Sequence, residues 1–410
     1  MDTAVRSLIA RDPTVAENAA RWTQYSEYDT GREVMRVGVI GGGQLARMMI
    51  PAAINLGIEL RVLAESEGMA AELATAGVGD YRNVDDVLPF ASTVDVVTFD
   101  HEHVPQSVLR ALVEAGVAVR PGPDALQYAQ DKILMRQKLS ELGMPVPRWA
   151  AVSDASELAD FLDQNGGVAV VKTARGGYDG KGVRVVRAAH EADDWFMALA
   201  EDANGGPLLA EELVDFRREL AQSVARRPSG EVTAWPVVES IQRDGVCAEV
   251  IAPAPSSAGK LAQVAADVAT GIAEGLGVTG VLAVELFETV DDRILVNELA
   301  MRPHNSGHWS IEGSTTSQFE QHLRAVLDLP LGATGCVYPW TVMVNILGGP
   351  TAGTLADRYP GVFEDHPTAK VHNYGKTPRP GRKIGHVTVS GADLDEVAYD
   401  ARAAAVQLTD

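Results

Sequence analysis

Apolar and polar positions along the chain change period several times, and each change marks an element. RVGVI at 36–40, IELRVLAE at 58–65 and VDVVTF at 94–99 are apolar runs rich in β-branched residues, with helix-length stretches between them. That alternation predicts a parallel sheet covered by helices. ALQYAQDKILMRQKLSELG at 125–143 reads as one helix, capped by Asp124, closed by Gly143 and stopped by Pro145 and Pro147. VAVVKT at 168–173 and VRVVR at 183–187 predict an antiparallel pair joined by a glycine-rich loop. Further strands are expected in LLAEELVDF at 208–216, within 232–251 and in YPWTVMVNILG at 338–348, with a helix over 258–276. Between 281 and 300, two apolar runs flank Asp291-Asp292 and read as a hairpin. If those two aspartates are the whole loop, Val290 faces Arg293 and Glu285 lies directly opposite Glu298. Ser317 and Glu320 have capping-box spacing at the start of a helix whose apolar face is Phe319, Leu323, Val326 and Leu327. Residues 1–34 carry weak periodicity and read as an appended tail, expected to be poorly ordered, with Met35 as an alternative start.

Composition narrows the class. The 410 residues suggest two or three domains, and 46% hydrophobic with 22% charged residues is ordinary for a soluble protein. A formal net charge of −21 argues against nucleic acid or an anionic membrane as partner. No apolar run reaches the length of a membrane span. The only cysteines, Cys247 and Cys336, lack metal-ligand spacing, which suits a reducing cytoplasm.

The candidate chemistry sits where the pattern is interrupted. Like charges directly across a strand pair repel, so Glu285 and Glu298 read either as a pair facing water or as holders of a cation between them. Mg²⁺ is the natural choice, since one or two carboxylates and phosphate oxygens suffice for it, and Asn297 adds an oxygen. The loop ARGGYDGKG at 174–182 can bring backbone N–H groups close to phosphates, with Gly177, Gly180 and Gly182 giving the freedom and Lys172 the charge. Tyr178, Asp179 and Lys181 on that loop are more chemistry than a turn needs. Glu211 and Glu212 lie in a strand whose backbone could meet an adenine edge. His304 and His308 read either as structural histidines or, for His304, as a catalytic group just past Asn297, Glu298 and Arg302. Lys376, Arg379, Arg382 and Lys383 form the strongest basic cluster and suit a phosphate monoester. Gly41, Gly43 and Ala46, with Glu65 beyond, match a dinucleotide-binding turn; a tight strand–helix turn fits better than NAD, and an anion site there stays open.

Together these parts resemble the ATP-grasp superfamily over nearly all of 35–400. Within it, GGGQLARM, KTARGGYDGKG, VNELAMRPHNSGHW with SQFEQHLRAV, and YGKTPRPGRKIGH are similar to the 5-(carboxyamino)imidazole ribonucleotide synthase family. The resemblance implies an α/β and α+β ATP-grasp fold. Its parts would be a Rossmann-like parallel sheet over 35–124, an ATP-grasp domain over 125–330 with its lid at about 150–215, and a small β-rich domain over 331–410. It implies that ATP and bicarbonate carboxylate 5-aminoimidazole ribonucleotide in purine biosynthesis, through carboxyphosphate, with Mg²⁺ (or Mn²⁺) as cofactor and a homodimer as the assembly. By motif position, Lys132, Lys172, the loop 177–182, Asn297 and Glu298 would contact ATP, with Glu211, Glu212, Leu213 and Val214 at the adenine and Glu219 at the ribose. Glu285 and Glu298 would hold the metal. Gln44, Glu102, Tyr178, Asp179, Lys376, Arg382 and Lys383 would face the ribonucleotide, and His304, Arg302 and Lys181 would be catalytic. Relatives often carry arginine at 132 and 181; lysine keeps the charge but loses the fork. A formate-dependent ribonucleotide transformylase keeps the fold and changes the substrate. An NAD-dependent oxidoreductase would leave the hairpin and the glycine loop unexplained.

Overall fold

The computed structural model describes residues 34–176, 182–201, 206–243, 245–257 and 259–409. Residues 1–33 and the loop positions Gly177, Tyr178, Asp179, Gly180 and Lys181 lie outside the described residues.

The first β-branched runs form a four-stranded sheet, ordered β3-β2-β1-β4, from β1 (Arg36–Ile40), β2 (Glu59–Ala64), β3 (Thr75–Val78) and β4 (Val96–Phe99). Its pairs are parallel, as strands linked through helices require. The helices are α1 (Gln44–Leu56), α2 (Val84–Ala91) and α3 (Gln106–Glu114). β3 is the strand the sequence pattern hides: TAGV offers one large apolar residue, and none of the four is fully buried.

The expected helix over 125–143 is two helices, α4 (Pro123–Gln130) and α5 (Lys132–Glu141). Asp131 divides them. Its backbone is extended, and its carboxylate accepts from the N–H groups of Ile133 and Leu134, so it caps α5. Arg175 draws the other carboxylate oxygen at 2.9 Å. The break places Lys132 at the first position of α5 rather than on an exposed mid-helix face.

A second sheet, ordered β5-β8-β6-β7, is antiparallel: β5 (Trp149–Val152), β6 (Ala169–Thr173), β7 (Val183–Val186) and β8 (Leu208–Glu212). α6 (Ala155–Gln164) and α7 (Asp193–Glu201) accompany it. The glycine loop joins β6 to β7, and the Thr173 N–H donates to the Gly182 carbonyl at 3.0 Å, closing its base.

The third sheet has nine antiparallel strands. β14 (Ile294–Ala300), β13 (Gly280–Thr289), β9 (Phe216–Arg226), β11 (Val238–Arg243), β12 (Val246–Ala252), β15 (Trp340–Leu347), β17 (Lys383–Gly391) and β16 (Lys370–Asn373) follow in order, with β10 (Val232–Ala234) on β9. The last three strands continue the sheet begun by the central ones through the β12–β15 pair. α8 (Lys260–Gly275) packs on β9, while α12 (Leu394–Thr409) packs on β15 and β17. Between them in sequence lie α9 (Ser310–Gly313), α10 (Gln318–Val326) and α11 (Tyr359–Asp365).

α10 is the joint between the first and third sheets. Ser317 caps it through the Glu320 N–H, but the Glu320 carboxylate turns to Arg324, so only half of the expected capping box forms. Phe319, Leu323 and Val326 are buried against α1 and β1 residues, as the apolar face requires. Beside that face His322 is fully buried. Its Nδ1 accepts from the Val281 N–H at 3.0 Å and its Nε2 meets the Thr98 hydroxyl at 2.8 Å.

Candidate active site

The hairpin brings Glu285 opposite Glu298, as expected, but by a different route. Thr289 and Arg293 close the turn, leaving Val290, Asp291 and Asp292 as a three-residue loop in which Asp292 has φ 61°. Val290 therefore does not face Arg293. That offset is undone by a bulge: Leu286 pairs with Val296, Glu285 with Glu298, and Asn297 is the extra residue. A bulge re-aims side chains locally. Here Asn297 and Glu298, neighbours that regular pleating would send to opposite faces, both reach lysines of one cluster.

Those lysines come from two other elements. Lys132, at the start of α5, lies 2.7 Å from Glu298 Oε1. Lys172, next to last in β6, lies 2.7 Å from Glu211 Oε2 and donates to Asn297 Oδ1 at 3.1 Å. Beneath them is a residue that sequence reasoning missed. Arg136 is fully buried, pairs with Glu211 and donates to the Asn297 carbonyl at 2.6 Å. Its signal was available: it stands one helical turn after Lys132, so both share a face. Glu211 is held ionised, because Arg136 and Lys172 outweigh the opposing effect of burial. Glu212 points to the other face of β8 and takes Arg148, while Leu213 is exposed just beyond the strand.

Glu285 is the strained member of the cluster. Burial, then the charges of Glu298 and Glu219, push its carboxyl up to about 7. Glu219 is raised as well, by burial. Glu298 goes the other way, since Lys132 and Lys172 overcome its burial. Three carboxylates thus face one region, with the lysines gathered on one side of it. Among the described residues no group of three or more His, Cys, Asp or Glu side chains is arranged as a closed metal cage.

His304 closes the far side, its Nε2 3.5 Å from Glu285 Oε1. Its Nδ1 accepts from the Ser306 N–H, which leaves the proton on Nε2. Burial, with Arg302 and Lys383 nearby, holds its pKa down at about 3, so the ring is neutral. Arg302 pairs with Glu102 at 2.7 Å; two residues assigned to different ligands therefore meet each other. His308 is a structural histidine: buried, bonded to Gln318 and stacked against Phe319 and His386.

The basic cluster lies on the connection from β16 to β17, against the first sheet's helix α1. Lys376 donates to Gln44 on α1 and sits 5.9 Å from the Tyr374 ring centre. Lys383 is near enough to lower the His304 pKa and to ease the ionisation of Glu285. Arg382 is bonded within its own loop, to the Thr377 carbonyl.

In the glycine turn before α1, two backbone N–H groups are held by the protein's own carboxylates. Asp100 accepts from the Ala46 N–H at 2.8 Å, and Glu65 accepts from the Gly42 N–H at 3.0 Å. A Cβ at Gly43 would lie 2.0 Å from Asp100 Oδ2, so glycine there makes room for the protein's own carboxylate.

Fold and site together define an ATP-dependent ligase of the ATP-grasp class. The ATP-grasp domain model matches residues 137–319, the ribonucleotide synthetase preATP-grasp domain residues 34–130, and the phosphoribosylaminoimidazole carboxylase C-terminal domain residues 341–400. N5-carboxyaminoimidazole ribonucleotide synthase of Mycobacterium tuberculosis is 51% identical over 373 residues, covering 90% of this chain and 86% of that one. The enzyme of the same name from Corynebacterium ammoniagenes is 50% identical, covering 90% and 91%. Among solved structures, N5-carboxyaminoimidazole synthase of Aspergillus clavatus, in complex with ADP and 5-aminoimidazole ribonucleotide, superposes with a TM-score of 0.82 at 32% identity, covering 91% of this chain and 98% of that one. The chain belongs to the N5-carboxyaminoimidazole ribonucleotide synthase family.

Proposed function

We infer that this chain converts 5-aminoimidazole ribonucleotide, bicarbonate and ATP to N5-carboxyaminoimidazole ribonucleotide, ADP and phosphate. The observation that carries the reading is the convergence of Lys132, Lys172, Asn297, Glu298 and Glu285 around the β14 bulge, with His304 beside it. Bicarbonate oxygen attacks the γ-phosphorus and ADP leaves. The resulting carboxyphosphate loses phosphate as CO₂ passes to the ribonucleotide amine, which gives up a proton. Such a transfer needs positioning and charge neutralisation more than covalent chemistry.

Lys132 and Lys172 supply the positive charge for the ATP phosphates, displaced from their resting partners Glu298 and Glu211. Glu285 and Glu298 would hold Mg²⁺, with Mn²⁺ as a substitute. The fit rests on a raised Glu285 carboxyl opposite a second carboxylate, with a donor set of hard oxygens. Bound there, the ion would neutralise charge on the transferring phosphoryl group. His304, neutral with its proton on Nε2, donates a hydrogen bond to an oxygen of the activated carboxylate rather than serving as a base. Arg302 adds charge at that end. Lys376 and Lys383, with Arg382 and Gln44, take the ribonucleotide phosphate, and Glu102 its ribose. Carboxyphosphate must be kept from water, and by motif position Tyr178 and Asp179 would face the ribonucleotide and Lys181 would be catalytic. The adenine edge meets the backbone of 211–214, the ribose Glu219.

The test is phosphate release from ATP with 5-aminoimidazole ribonucleotide and bicarbonate, separately and together. Release that requires both substrates is expected. Release stimulated by formate instead of bicarbonate, or none at all, would overturn the reading.

A further inference from the structure

His304 is useful only if its Nε2–H is aimed; Ser306 meets the ring at Nδ1, through its N–H at 3.4 Å and its hydroxyl at 2.9 Å. The His304 backbone is fixed from both ends by one side chain. Gln318, 1% exposed on α10, accepts from the His304 N–H at 2.8 Å and donates to the His304 carbonyl at 2.8 Å. The remaining Gln318 amide hydrogen points to His308 Nδ1 at 2.9 Å. Every donor and acceptor of the amide is engaged, and turning it over would put oxygen against oxygen and nitrogen against N–H. Gly307 leaves space for it: a Cβ there would lie 2.4 Å from Gln318 Oε1. Ser310 anchors the start of α10, accepting from the Gln318 N–H at 2.9 Å while donating to the Gly307 carbonyl at 2.6 Å.

We propose that Gln318 is the positioning residue of this active site: its amide clamps the His304 backbone so that the imidazole addresses the activated carboxylate. The inference rests on the role given to His304 above. Gln318 touches no substrate and acts through His304 alone. Its geometry is that of a two-point peptide mimic, the way one strand holds its neighbour, used on a single residue.

Displacing a reacting geometry by about 1 Å costs on the order of 100-fold in rate. The test is a double-mutant cycle of Gln318→Leu and His304→Ala, reading kcat for carboxylated product, KM for ATP, and phosphate released per product formed. Gln318→Leu is expected to lower kcat roughly 10- to 100-fold, to leave KM for ATP within about twofold, and to release phosphate in excess of product as carboxyphosphate escapes. Combined with His304→Ala it should add nothing to the loss, because a clamp has no effect once the clamped ring is gone. Multiplicative losses in the double variant would overturn the proposal and mark Gln318 as a general packing residue. Wild-type kcat in Gln318→Leu beside a defective His304→Ala would also overturn it, while leaving the function reading intact. Wild-type activity in His304→Ala would instead remove the role of His304, and the clamp with it. If Gln318→Leu fails to fold, Gly307→Ala, which presses on the same amide, carries the same cycle and the same outcomes.

Discussion

A buried carboxylate is tolerable only while its partners remain. Glu211 has two, Arg136 and Lys172, and Arg136 is itself fully buried. Removing one member of such a group leaves an uncompensated charge, typically at a cost of about 3–5 kcal/mol. Arg136→Met is therefore expected to lower the unfolding free energy measured by urea denaturation by that order, with a lower midpoint. It should also raise KM for ATP, because Lys172 becomes the sole counter-ion of Glu211 and is less free to meet phosphate. An unchanged midpoint would show that Glu211 is hydrated rather than paired. Lys376→Ala is the complementary change on the other side of the site. It is expected to raise KM for the ribonucleotide about tenfold or more, in line with loss of a charge-assisted phosphate contact, with KM for ATP little altered. Steady-state kinetics with each substrate varied decides it, and the reverse pattern would refute the phosphate role. At this scale sequence reading singled out residues whose chemistry interrupts an apolar pattern, such as Glu285, Glu298, Lys172 and Arg302. It missed Arg136 and Gln318 because each sits within a helical stretch where a polar residue looks solvated. For Arg136 the spacing from Lys132 was the one signal in the sequence; for Gln318 only the tertiary fold shows that its face points inward.

Among the elements, the β13–β14 hairpin separates what holds the sheet from what serves the site. One extra residue in the loop and one at the bulge cancel, so the Glu285–Glu298 pair survives a loop that differs from expectation. The turn could not be read from Asp-Asp alone, since loop length depends on which residue takes the left-handed conformation, here Asp292. Deleting one residue at each place should have opposite consequences. Deletion of Asp291 shortens an exposed loop and should cost about 1–2 kcal/mol with kcat nearly unchanged. Deletion of Asn297 leaves a regular ladder with the glutamates still paired, but takes away the Lys172 and Arg136 contacts. Activity is expected to fall on the order of 100-fold while the circular dichroism spectrum stays native. Equal activity in the two deletions would deny the bulge its function. The split of 125–143 into α4 and α5 has the same character: helix periodicity runs through Asp131, and the break is made by Arg175 from another sheet.

For the whole molecule, acidity is the natural probe of how the parts are joined. His322 binds β4 and β13 through α10, and burial holds its pKa down at about 3. A group depressed from an unfolded value of about 6.5 contributes its full stability above that value. The contribution is lost as pH falls toward 3, at up to about 1.4 kcal/mol per pH unit. His304, lowered by burial to about 3, acts in the same sense, as do the buried His308 and His386. Stability measured by urea denaturation is expected to fall steadily from pH 6.5 downward. In His322→Gln it should be lower at pH 7 but decline less steeply, by about one proton; parallel slopes would exclude His322 as a source. The layered plan of this molecule was legible from alternating strands and helices. The continuity of the third sheet was not, because strand order across distant segments leaves no periodic trace.

That continuity bears on how the chain is made. β12 ends at Ala252, and the strand that covers its free edge, β15, begins at Trp340. On the ribosome the central strands emerge first and wait, with one row of peptide groups unpaired, for a segment still inside the exit tunnel. An open edge in a slowly completed sheet invites pairing with the wrong chain. Newly made copies that stall before Leu347 are the ones a chaperone would be expected to hold.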